Sequence, residues 1–373
     1  MLARLPPSVI PNYAIMANDN PRVLQLIHEM SVSMYAGSAG HLDLLHTLGL
    51  DSPSVIFAPS AFSPSSCRVA SEIADLIVFA NSPRQYALIR EHAPKARIGV
   101  RVRAPYLSPP LNGYSDKHYL AASPRIGMPR SRVLEWASHP AGHAANIYGL
   151  HLYPGTNITS LDLLFGVDGR PGVYDEVFSI AERLPSIKVL DLGGGMPSTF
   201  HYPFDCPLWQ DWSRQLSERI ERFRREHRSI DVLFEFGRAI VAESGLFVTT
   251  VLDIVEDEQT PTLVCDASMS MFPRPYIYES ASKDHPVCVI NSDRSGPAKR
   301  YVIAGSTTFS GDLLHTGALL SEVTVGDRLA FHNAGAYCAS MSSRFLGCMR
   351  PAEYLLTQDG LLLDASIRGR HNV

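Results

Sequence analysis

The sequence contains no C-x-x-C pair, no run of lysine and arginine residues and no long apolar span. Its six cysteines are scattered, which favours buried thiols in a reducing compartment over zinc ligands or disulfides. A formal net charge of −4 without a basic cluster argues against a nucleic-acid partner. The N-terminal stretch MLARLPPSVIP is short and interrupted by prolines, so neither a signal peptide nor a membrane span is predicted. We therefore expect a cytoplasmic protein with no metal site, no membrane contact and no nucleic-acid partner.

From residue 12 to about 240 the chain alternates between short β-branched runs and longer segments of helical periodicity. The eight runs are YAIM, SVSMYA, SVIFAP, LIVFA, IGVRV, IYGLHL, KVLDL and VLFEF. Near-continuous apolar strands separated by helices indicate a parallel sheet that is buried on both faces. Eight strand–helix units in this length predict a (β/α)8 TIM barrel over residues 1–240.

The pattern changes after residue 240. Runs such as LFVTTVLDIV, TLVCDAS, KRYVIAG and DRLAFHNAG are strands joined by Gly, Ser, Asn and Asp turns, with little helical periodicity. They predict an antiparallel β domain over residues 241–373 that completes the active site of the barrel. The stretch SKDHPVCVINSDRSGPAKR is predicted to form a hairpin with a polar tip.

Two motifs stand at the ends of predicted barrel strands, where the reacting groups of such barrels lie. In VLDLGGGMP, three consecutive glycines leave backbone N–H groups open to an anion such as a phosphate, although a tight turn would also account for them. In FEFGRAI, Glu235, Gly237 and Arg238 bring a carboxylate and a guanidinium to the same mouth. Arginine favours an oxygen-rich anion and the carboxylate a protonated ring nitrogen or an ammonium; an internal Glu–Arg pair is the alternative.

A third motif, GLHLYPGTN, places His151 and Tyr153 on one face of its strand. The tyrosine could stack on a flat cofactor, although a single tyrosine is more often a packing residue. In the β domain, Asp266, Arg274, Tyr278, Asp312 and Tyr337 stand among turn residues, where ligand contacts often collect.

Taken in this order, the motifs resemble the fold-type III pyridoxal-phosphate decarboxylases, the family of ornithine, diaminopimelate and carboxynorspermidine decarboxylases, which has relatives in siderophore and natural-product pathways. The likeness runs from about residue 12 to 357. It is most specific at the GGG turn, at E-x-G-R and at GDRLAFHNAGAYCASMSSRFLGCMRPAEYLL. The resemblance implies an alanine-racemase-like barrel with a β domain, head-to-tail homodimers with active sites at the subunit interface, and an amino-acid-like substrate that loses CO2.

The resemblance also implies roles for the residues that would hold the cofactor. The phosphate of pyridoxal phosphate would bind to Arg238 and Tyr337 and to the three glycines Gly193, Gly194 and Gly195. Glu235 would pair with the pyridine nitrogen and keep it protonated, so that the ring can act as an electron sink.

The remaining implied roles concern the substrate and the partner subunit. Arg274 and Tyr278 match the segment RP…Y that is associated with substrate binding in the family. A carboxylate remote from the reacting centre would suit Arg274. Asp312 would lie in the loop that a partner subunit contributes.

Several positions depart from the family pattern. The family lysine that forms a Schiff base with the cofactor is Met16 here, and a thioether supplies no amine. Tyr153 stands where the family has the histidine that stacks on the cofactor ring, and Phe236 stands where it has a proline. Thr308 aligns with the family cysteine that is supplied across the dimer, and Phe309 aligns with the acidic residue that follows this cysteine. The family's N-terminal strand of the β domain is expected to have no counterpart here. The non-covalent cofactor contacts are therefore retained, whereas the covalent and proton-transferring groups are largely replaced.

Three hypotheses follow for the function. The protein is a decarboxylase with impaired or altered catalysis that holds pyridoxal phosphate non-covalently. Alternatively, it is an inactive family member that acts as a regulatory or heterodimer partner of an active relative. In the third, Met16 is an engineered change or an error, and the natural residue is lysine. The other lysines, at 95, 117, 188, 283 and 299, lie in unrelated segments and give no local reason to substitute for it.

Overall fold

The chain divides into two compact units. The first comprises Met1–Met16 and Leu24–Ile240, and the second comprises Ala17–Val23 and Val241–Val373. The computed structural model describes residues 5–6, 8–50, 54–104, 126–139, 146–198, 200, 207–277, 285–290 and 297–367. In this part of the chain, no helix is both long enough and apolar enough to cross a membrane.

The first unit is a closed barrel of eight parallel strands, as predicted. Consecutive strands along the chain are neighbours, and the eighth strand pairs with the first, so that Val9 lies opposite Val232 and Tyr13 opposite Phe236. Each of the eight apolar runs of the sequence overlaps one of these strands, although YAIM contributes only Tyr13 and Ala14 to the first. The strands are β1 (Val9–Ala14), β2 (Ser33–Ala36), β3 (Val55–Phe57), β4 (Ile77–Ala80), β5 (Arg97–Val102), β6 (Gly149–Leu152), β7 (Val189–Asp191) and β8 (Asp231–Phe236).

Helices follow the strands around the barrel, and serine side chains begin several of them. Ser38, Ser63 and Ser82 each accept a hydrogen bond from a backbone N–H in the first turn of the helix that follows. Such caps satisfy N–H groups that have no partner inside the helix. The helices are α1 (Pro21–Glu29), α2 (Ala39–Leu48), α3 (Pro64–Ser71), α4 (Pro83–His92), α5 (Arg130–Ala137), α6 (Leu161–Phe165), α7 (Val173–Arg183), α8 (Pro207–Glu226) and α9 (Arg238–Val241). Gly166–Val167 and Arg170–Pro171 form a short antiparallel ribbon.

The side chains of β8 show how the barrel orients its residues. Phe234 and Phe236 stack with ring centroids 5.5 Å apart, and Trp212 of α8 packs on Phe234 at 4.9 Å. These side chains face the helical layer. Because neighbouring residues of a strand point to opposite faces, Leu233 and Glu235 point to the barrel interior. Leu233 packs there in a cluster whose other buried members are Ala14, Tyr35, Ile56, Ala58, Ile77, Phe79 and Val189.

The second unit is built around a six-stranded, mostly antiparallel sheet. Its strands are β9 (Phe247–Val255), β10 (Thr262–Cys265), β11 (Val287–Val289), β12 (Lys299–Ala304), β13 (Leu313–Leu320) and β14 (Arg328–Phe331), in the order β11-β14-β9-β10-β12-β13. The β10–β12 pair is parallel. A short helix, α10 (Arg274–Ile277), and a separate ribbon of β15 (Tyr354–Leu356) and β16 (Leu362–Asp364) complete the described part.

The predicted hairpin over residues 282–300 is wrong. The strand β11 pairs with β14, and β12 pairs with β10 and β13, so the two arms belong to different parts of the sheet. A local pattern of two strands and a polar turn predicted the arms correctly but their pairing incorrectly, because strand pairing depends on residues distant in the sequence.

Candidate active site

Three polar side chains meet inside the barrel at the carboxyl ends of adjacent strands. They are His151 of β6, Asp191 of β7 and Glu235 of β8, each at most 6% exposed. One donor or acceptor atom from each lies within 4.8 Å of the others. Parallel strands place their carboxyl ends at one edge, and this is the end at which such barrels carry their active sites.

His151 and Glu235 are in direct contact. The imidazole Nε2 lies 2.9 Å from the carboxyl Oε1. Burial, followed by the positive charge of Arg101, lowers the pKa of His151 to about 3. The imidazole is therefore neutral at physiological pH. Burial raises the pKa of Glu235 to about 8, opposed by Arg101 and by a hydrogen bond with Asp191.

Asp191 connects this cluster to the glycine turn. Its Oδ1 accepts a hydrogen bond of 2.9 Å from the backbone N–H of Gly193. Burial, followed by the neighbouring Glu235 carboxyl, raises the pKa of Asp191 well above its ordinary value. Two carboxyl groups that share one dry site resist losing both protons.

Arg101 and Tyr35 extend the cluster around the inside of the barrel. Arg101 of β5 is 8% exposed and interacts electrostatically with His151 and Glu235. Burial, followed by the charge of Glu235, raises the pKa of Tyr35, so the phenol stays neutral. The ring of His151 is stacked 6.3 Å from Tyr35 and packs 5.2 Å from Phe79. A metal ion among the three cluster residues would be repelled by the positive charge of Arg101, which already interacts with His151 and Glu235.

The glycine turn is held against β8 by backbone hydrogen bonds. The N–H of Glu235 donates to the carbonyl of Gly193 at 2.9 Å. A Cβ on Gly194 would lie 2.2 Å from the carbonyl oxygen of Glu235, and one on Gly195 2.2 Å from that of Gly155. Gly193 and Gly195 also have φ angles of 69° and 91°. Glycine is therefore required by the close backbone packing, and the turn lies directly beside the buried cluster.

Met16 lies just beyond the carboxyl end of β1, in a 3-10 turn formed by Ile15–Ala17. The side chain is half-buried and packs against the same cluster of barrel residues as Tyr35. The structure therefore brings Met16 to the end of the barrel at which His151 and Glu235 lie.

Two of the lysines lie at the other end of the barrel. Lys95 and Lys188 precede β5 and β7 at the amino ends of these strands. Lys299 begins β12 of the second unit. Lys117 and Lys283 lie outside the described residues.

The other predicted cofactor residues of the first unit also stand at the carboxyl ends of strands. Tyr153 directly follows β6 and is half-buried. Gly237 directly follows β8, and Arg238 begins α9 with a half-buried side chain. One end of the barrel therefore carries the glycine turn, the carboxylate of Glu235, the guanidinium of Arg238 and Tyr153, as their places in the sequence predicted.

In the second unit, Asp312 is an internal anchor. It is 3% exposed, and its Oδ1 accepts a hydrogen bond of 2.6 Å from the N–H of Met269. Its Oδ2 accepts hydrogen bonds from the N–H and the hydroxyl of Thr307. The carboxylate thus holds the loop that carries Thr308, which is exposed, and Phe309, which contacts Tyr276 edge-to-face.

Arg274 and Tyr337 also have defined places in the second unit. Arg274 is 3% exposed, and its Nε donates a hydrogen bond of 3.1 Å to Nε2 of His285. Tyr337 has a φ of 59°, and its N–H donates to the carbonyl of Ala17 at 2.7 Å. Tyr278 lies outside the described residues.

Sequence reasoning missed Asp191, Arg101 and Tyr35 as members of the cluster, and it gave His151 no partner. The signal that could have found them is the alternation along the strands. Asp191 precedes the glycine turn in VLDLGGG, and an acidic residue at the end of an otherwise apolar strand marks an inward polar position.

Comparison with known proteins identifies relatives over nearly the whole chain. Diaminopimelate decarboxylase of Aquifex aeolicus is 26% identical over 98% of this chain and 84% of that enzyme. The probable chloroplastic diaminopimelate decarboxylase of Oryza sativa subsp. japonica is 26% identical over 94% of this chain and 70% of its own length.

Solved structures show the same fold. Diaminopimelate decarboxylase of M. jannaschii in complex with L-lysine has a TM-score of 0.81 at 21% identity, covering 96% of this chain and 82% of that one. Lysine/ornithine decarboxylase of Vibrio vulnificus complexed with cadaverine has a TM-score of 0.75 at 19% identity, covering 94% and 88%.

A family model described as "Pyridoxal-dependent decarboxylase, C-terminal sheet domain" matches residues 35–335. This match spans more than half of the sequence. The chain therefore belongs to the pyridoxal-dependent decarboxylase family, whose cofactor is pyridoxal phosphate.

Proposed function

We propose that this protein binds pyridoxal phosphate through non-covalent contacts at the carboxyl end of the barrel and decarboxylates an amino-acid-like substrate at a reduced rate. The observation that carries the proposal is the direct contact between the glycine turn and Glu235. The turn that would hold the phosphate and the carboxylate that would hold the ring nitrogen are thereby joined by close backbone packing.

The residues present fit the cofactor. The glycine turn lies where a Cβ would collide with the neighbouring backbone, so the main chain there is bare of side chains. Gly193, Gly194, Gly195 and Arg238 would hold the phosphate, and Glu235 the ring nitrogen. When bound, pyridoxal phosphate supplies an electron sink for the carbanion that loss of CO2 leaves behind.

The chain contributes electrostatics and orientation to this chemistry. The neutral imidazole of His151 holds Oε1 of Glu235 at 2.9 Å and so fixes the direction of the carboxyl group. Arg101 supplies a positive charge that favours the ionised form of Glu235. Burial excludes water, which strengthens both interactions.

Met16 limits the rate. A thioether neither forms a covalent bond to the cofactor nor transfers a proton. Substrate must therefore react with a cofactor held only by contacts, and product release must proceed without help from a lysine amine. We expect turnover to be lower than in lysine-containing relatives by several powers of ten, each of which corresponds to about 1.4 kcal/mol of activation free energy.

The proposal is tested by titrating the purified protein with pyridoxal phosphate and following absorbance. We expect saturable binding that dialysis reverses and that borohydride does not convert into a covalent adduct. CO2 release would then be assayed with diaminopimelate, lysine and ornithine. A protein without measurable affinity for pyridoxal phosphate would contradict the proposal.

The half-buried thioether of Met16 at the active-site end also supports a second candidate function. An inactive family member that pairs with an active relative would bind the cofactor without turnover. Mixing the protein with an active diaminopimelate decarboxylase and measuring mass by light scattering distinguishes the two functions. A mixed dimer together with no CO2 release from the isolated protein favours the second.

A further inference from the structure

Asp191 belongs to the buried cluster of the barrel, yet the proposed function gives it no task. The side chain is fully buried. Its Oδ1 accepts the N–H of Gly193 at 2.9 Å, which fixes the first residue of the glycine turn. Its second oxygen, Oδ2, is buried as well.

The surroundings of Oδ2 favour a proton on one of the neighbouring carboxyl groups. Among the residues that the structure describes, no N–H or O–H group donates to this buried oxygen. The carboxyl groups of Asp191 and Glu235 are neighbours, with one oxygen of each within 4.8 Å of the other, and they interact with each other. Two carboxylates offer only acceptors to each other, and a buried acceptor without a donor costs about 1–3 kcal/mol in general. One proton between the two groups satisfies both.

The charges around the pair agree with a single shared proton. The charged and titratable groups that interact with it are His151, Arg101 and Tyr35. Burial keeps the imidazole of His151 and the phenol of Tyr35 neutral, and the guanidinium of Arg101 carries a positive charge. One negative charge on the carboxyl pair balances the guanidinium, whereas two would leave an excess negative charge in a dry site.

We propose that Asp191 and Glu235 share one proton and that Asp191 is a positioning residue, which ties the carboxylate for the ring nitrogen to the glycine turn for the phosphate. The positioning half of this inference rests on the proposed function, whereas the shared proton does not. Glu235 retains acceptor capacity for a ring N–H, because a carboxylate has about four lone-pair sites and His151 and Asp191 use two.

The shared proton is tested by infrared spectroscopy of the cofactor-free protein at pH 7. The absorption of a protonated carboxyl group, identified by its shift in D2O, is compared among the wild type, D191N, E235Q and the double variant. In each single variant the amide donates to the remaining carboxylate, so we expect each to lose the band. The double variant should lose no more than either single variant. D231N, at the exposed start of β8, is the control that should retain the band.

Two protons held independently would give a different result. Each single variant would then lose one band and the double variant would lose two, which would overturn the shared proton. If neither single variant lost the infrared band of a protonated carboxyl group, the shared proton would be overturned as well.

The positioning role is tested by the dissociation constant for pyridoxal phosphate. Asparagine at position 191 accepts from Gly193 and donates to Glu235 as the protonated aspartic acid does. We therefore expect D191N to bind within about threefold of the wild type and D191A to bind at least tenfold more weakly. Circular dichroism establishes that both variants are folded. Equal loss of affinity in D191N and D191A would overturn the positioning role.

A wild-type protein that does not bind pyridoxal phosphate would refute the proposed function and, with it, the positioning role. The infrared comparison would still decide whether the proton is shared. The two failures are thereby distinguishable.

Discussion

The terminal methyl group of Met16 lies against Gly37, 2.7 Å from the position that a Cβ on residue 37 would occupy. Gly37 directly follows β2, and Met16 lies in the turn that follows β1. The absence of a side chain at residue 37 gives a long, unbranched side chain at residue 16 room to lie along the barrel mouth.

Restoring the amine is therefore expected to restore the covalent link. Lysine is unbranched and of similar length to methionine, so M16K should be accommodated beside Gly37. We expect M16K incubated with pyridoxal phosphate and borohydride to gain a covalent adduct at residue 16. Peptide mass spectrometry is the measurement.

M16L is the matched control, because it changes shape without adding an amine, and it should remain unlabelled. If M16K is folded, binds pyridoxal phosphate and yet gains no adduct, residue 16 does not point to the cofactor as we infer. Where M16K does gain the adduct, its rate of CO2 release compared with that of the wild type shows how much of the rate depends on the amine.

Replacing Glu235 by glutamine should weaken cofactor binding without unfolding the barrel. Glutamine keeps a hydrogen bond to His151 but loses the negative charge that a protonated ring nitrogen requires. A hydrogen bond to a charged group contributes roughly 1.5–3 kcal/mol. We therefore expect E235Q to raise the dissociation constant for pyridoxal phosphate about 10- to 100-fold, measured by absorbance titration.

D231N removes a carboxylate from the opposite, exposed end of the same strand and should leave the dissociation constant unchanged. Unaltered affinity in E235Q would mean that the carboxylate does not interact with the ring nitrogen.

The sequence predicted the barrel strands well because each strand is apolar almost throughout. In β4, for example, all four residues are buried, and a short, continuous apolar run between helical segments is typical of a strand covered on both faces. The sequence also predicted that Glu235 and the glycine turn would share one end of the barrel, since both stand where strands end.

The sequence did not predict which side chains pair with each other inside the site. Glu235 and Arg238 are three residues apart, and the sequence offered their pairing as an alternative to a ligand site. The contact that forms with Oε1 of Glu235 comes from His151, 84 residues away. Such a pairing depends on the circular order of the strands, which local pattern does not encode. Burial likewise shows Asp312 as an internal anchor of its loop, which its place among turn residues did not predict.

The stability of the cofactor-free protein should depend on pH through Glu235 and its neighbour Asp191, whose pKa values are both raised by burial. The pKa of Glu235 is raised from 4.5 to about 8, so between these values the folded state retains a proton that the unfolded state has lost. The free energy of unfolding therefore falls as pH rises through this window. His151, whose pKa is lowered from 6.5 to about 3, has the opposite effect between pH 3 and 6.5.

Between pH 6.5 and 8, Glu235 therefore changes the free energy of unfolding with pH, whereas His151 does not. We expect the free energy of unfolding, measured by urea denaturation, to fall across this range in the wild type and to fall less steeply in E235Q. A parallel pH dependence in the two proteins would contradict the raised pKa of Glu235.

Removing the Asp312 carboxylate should destabilise the second unit. D312A leaves the N–H of Met269 and both donors of Thr307 without their acceptor. These three hydrogen bonds are part-buried, and a hydrogen bond to a charged group contributes roughly 1.5–3 kcal/mol. We therefore expect a loss of roughly 3 kcal/mol in the free energy of unfolding, since water reaches some of the freed donors. D359A, at an exposed turn, is the control and should change stability by less than about 0.5 kcal/mol. Wild-type stability in D312A would show that the loop does not depend on this carboxylate.

The glycine turn provides the most local test of the site. A Cβ on Gly194 would lie 2.2 Å from the carbonyl oxygen of Glu235, and backbone atoms cannot rotate away as a side chain can. G194A must therefore push the turn away from β8, at a cost of roughly 3 kcal/mol in the free energy of unfolding. The matched control is G40A in α2, where the nearest atom to the new Cβ lies 3.8 Å away and alanine is the better helix former. Urea denaturation should show G194A destabilised and G40A at least as stable as the wild type.

Because the displaced turn also carries the proposed phosphate contacts, G194A should lose affinity for pyridoxal phosphate, whereas G40A should bind as the wild type does. If the two variants had equal stability and equal affinity, the close packing of the glycine turn on Glu235 would matter for neither property. The structural basis for a shared cofactor site would then be lost.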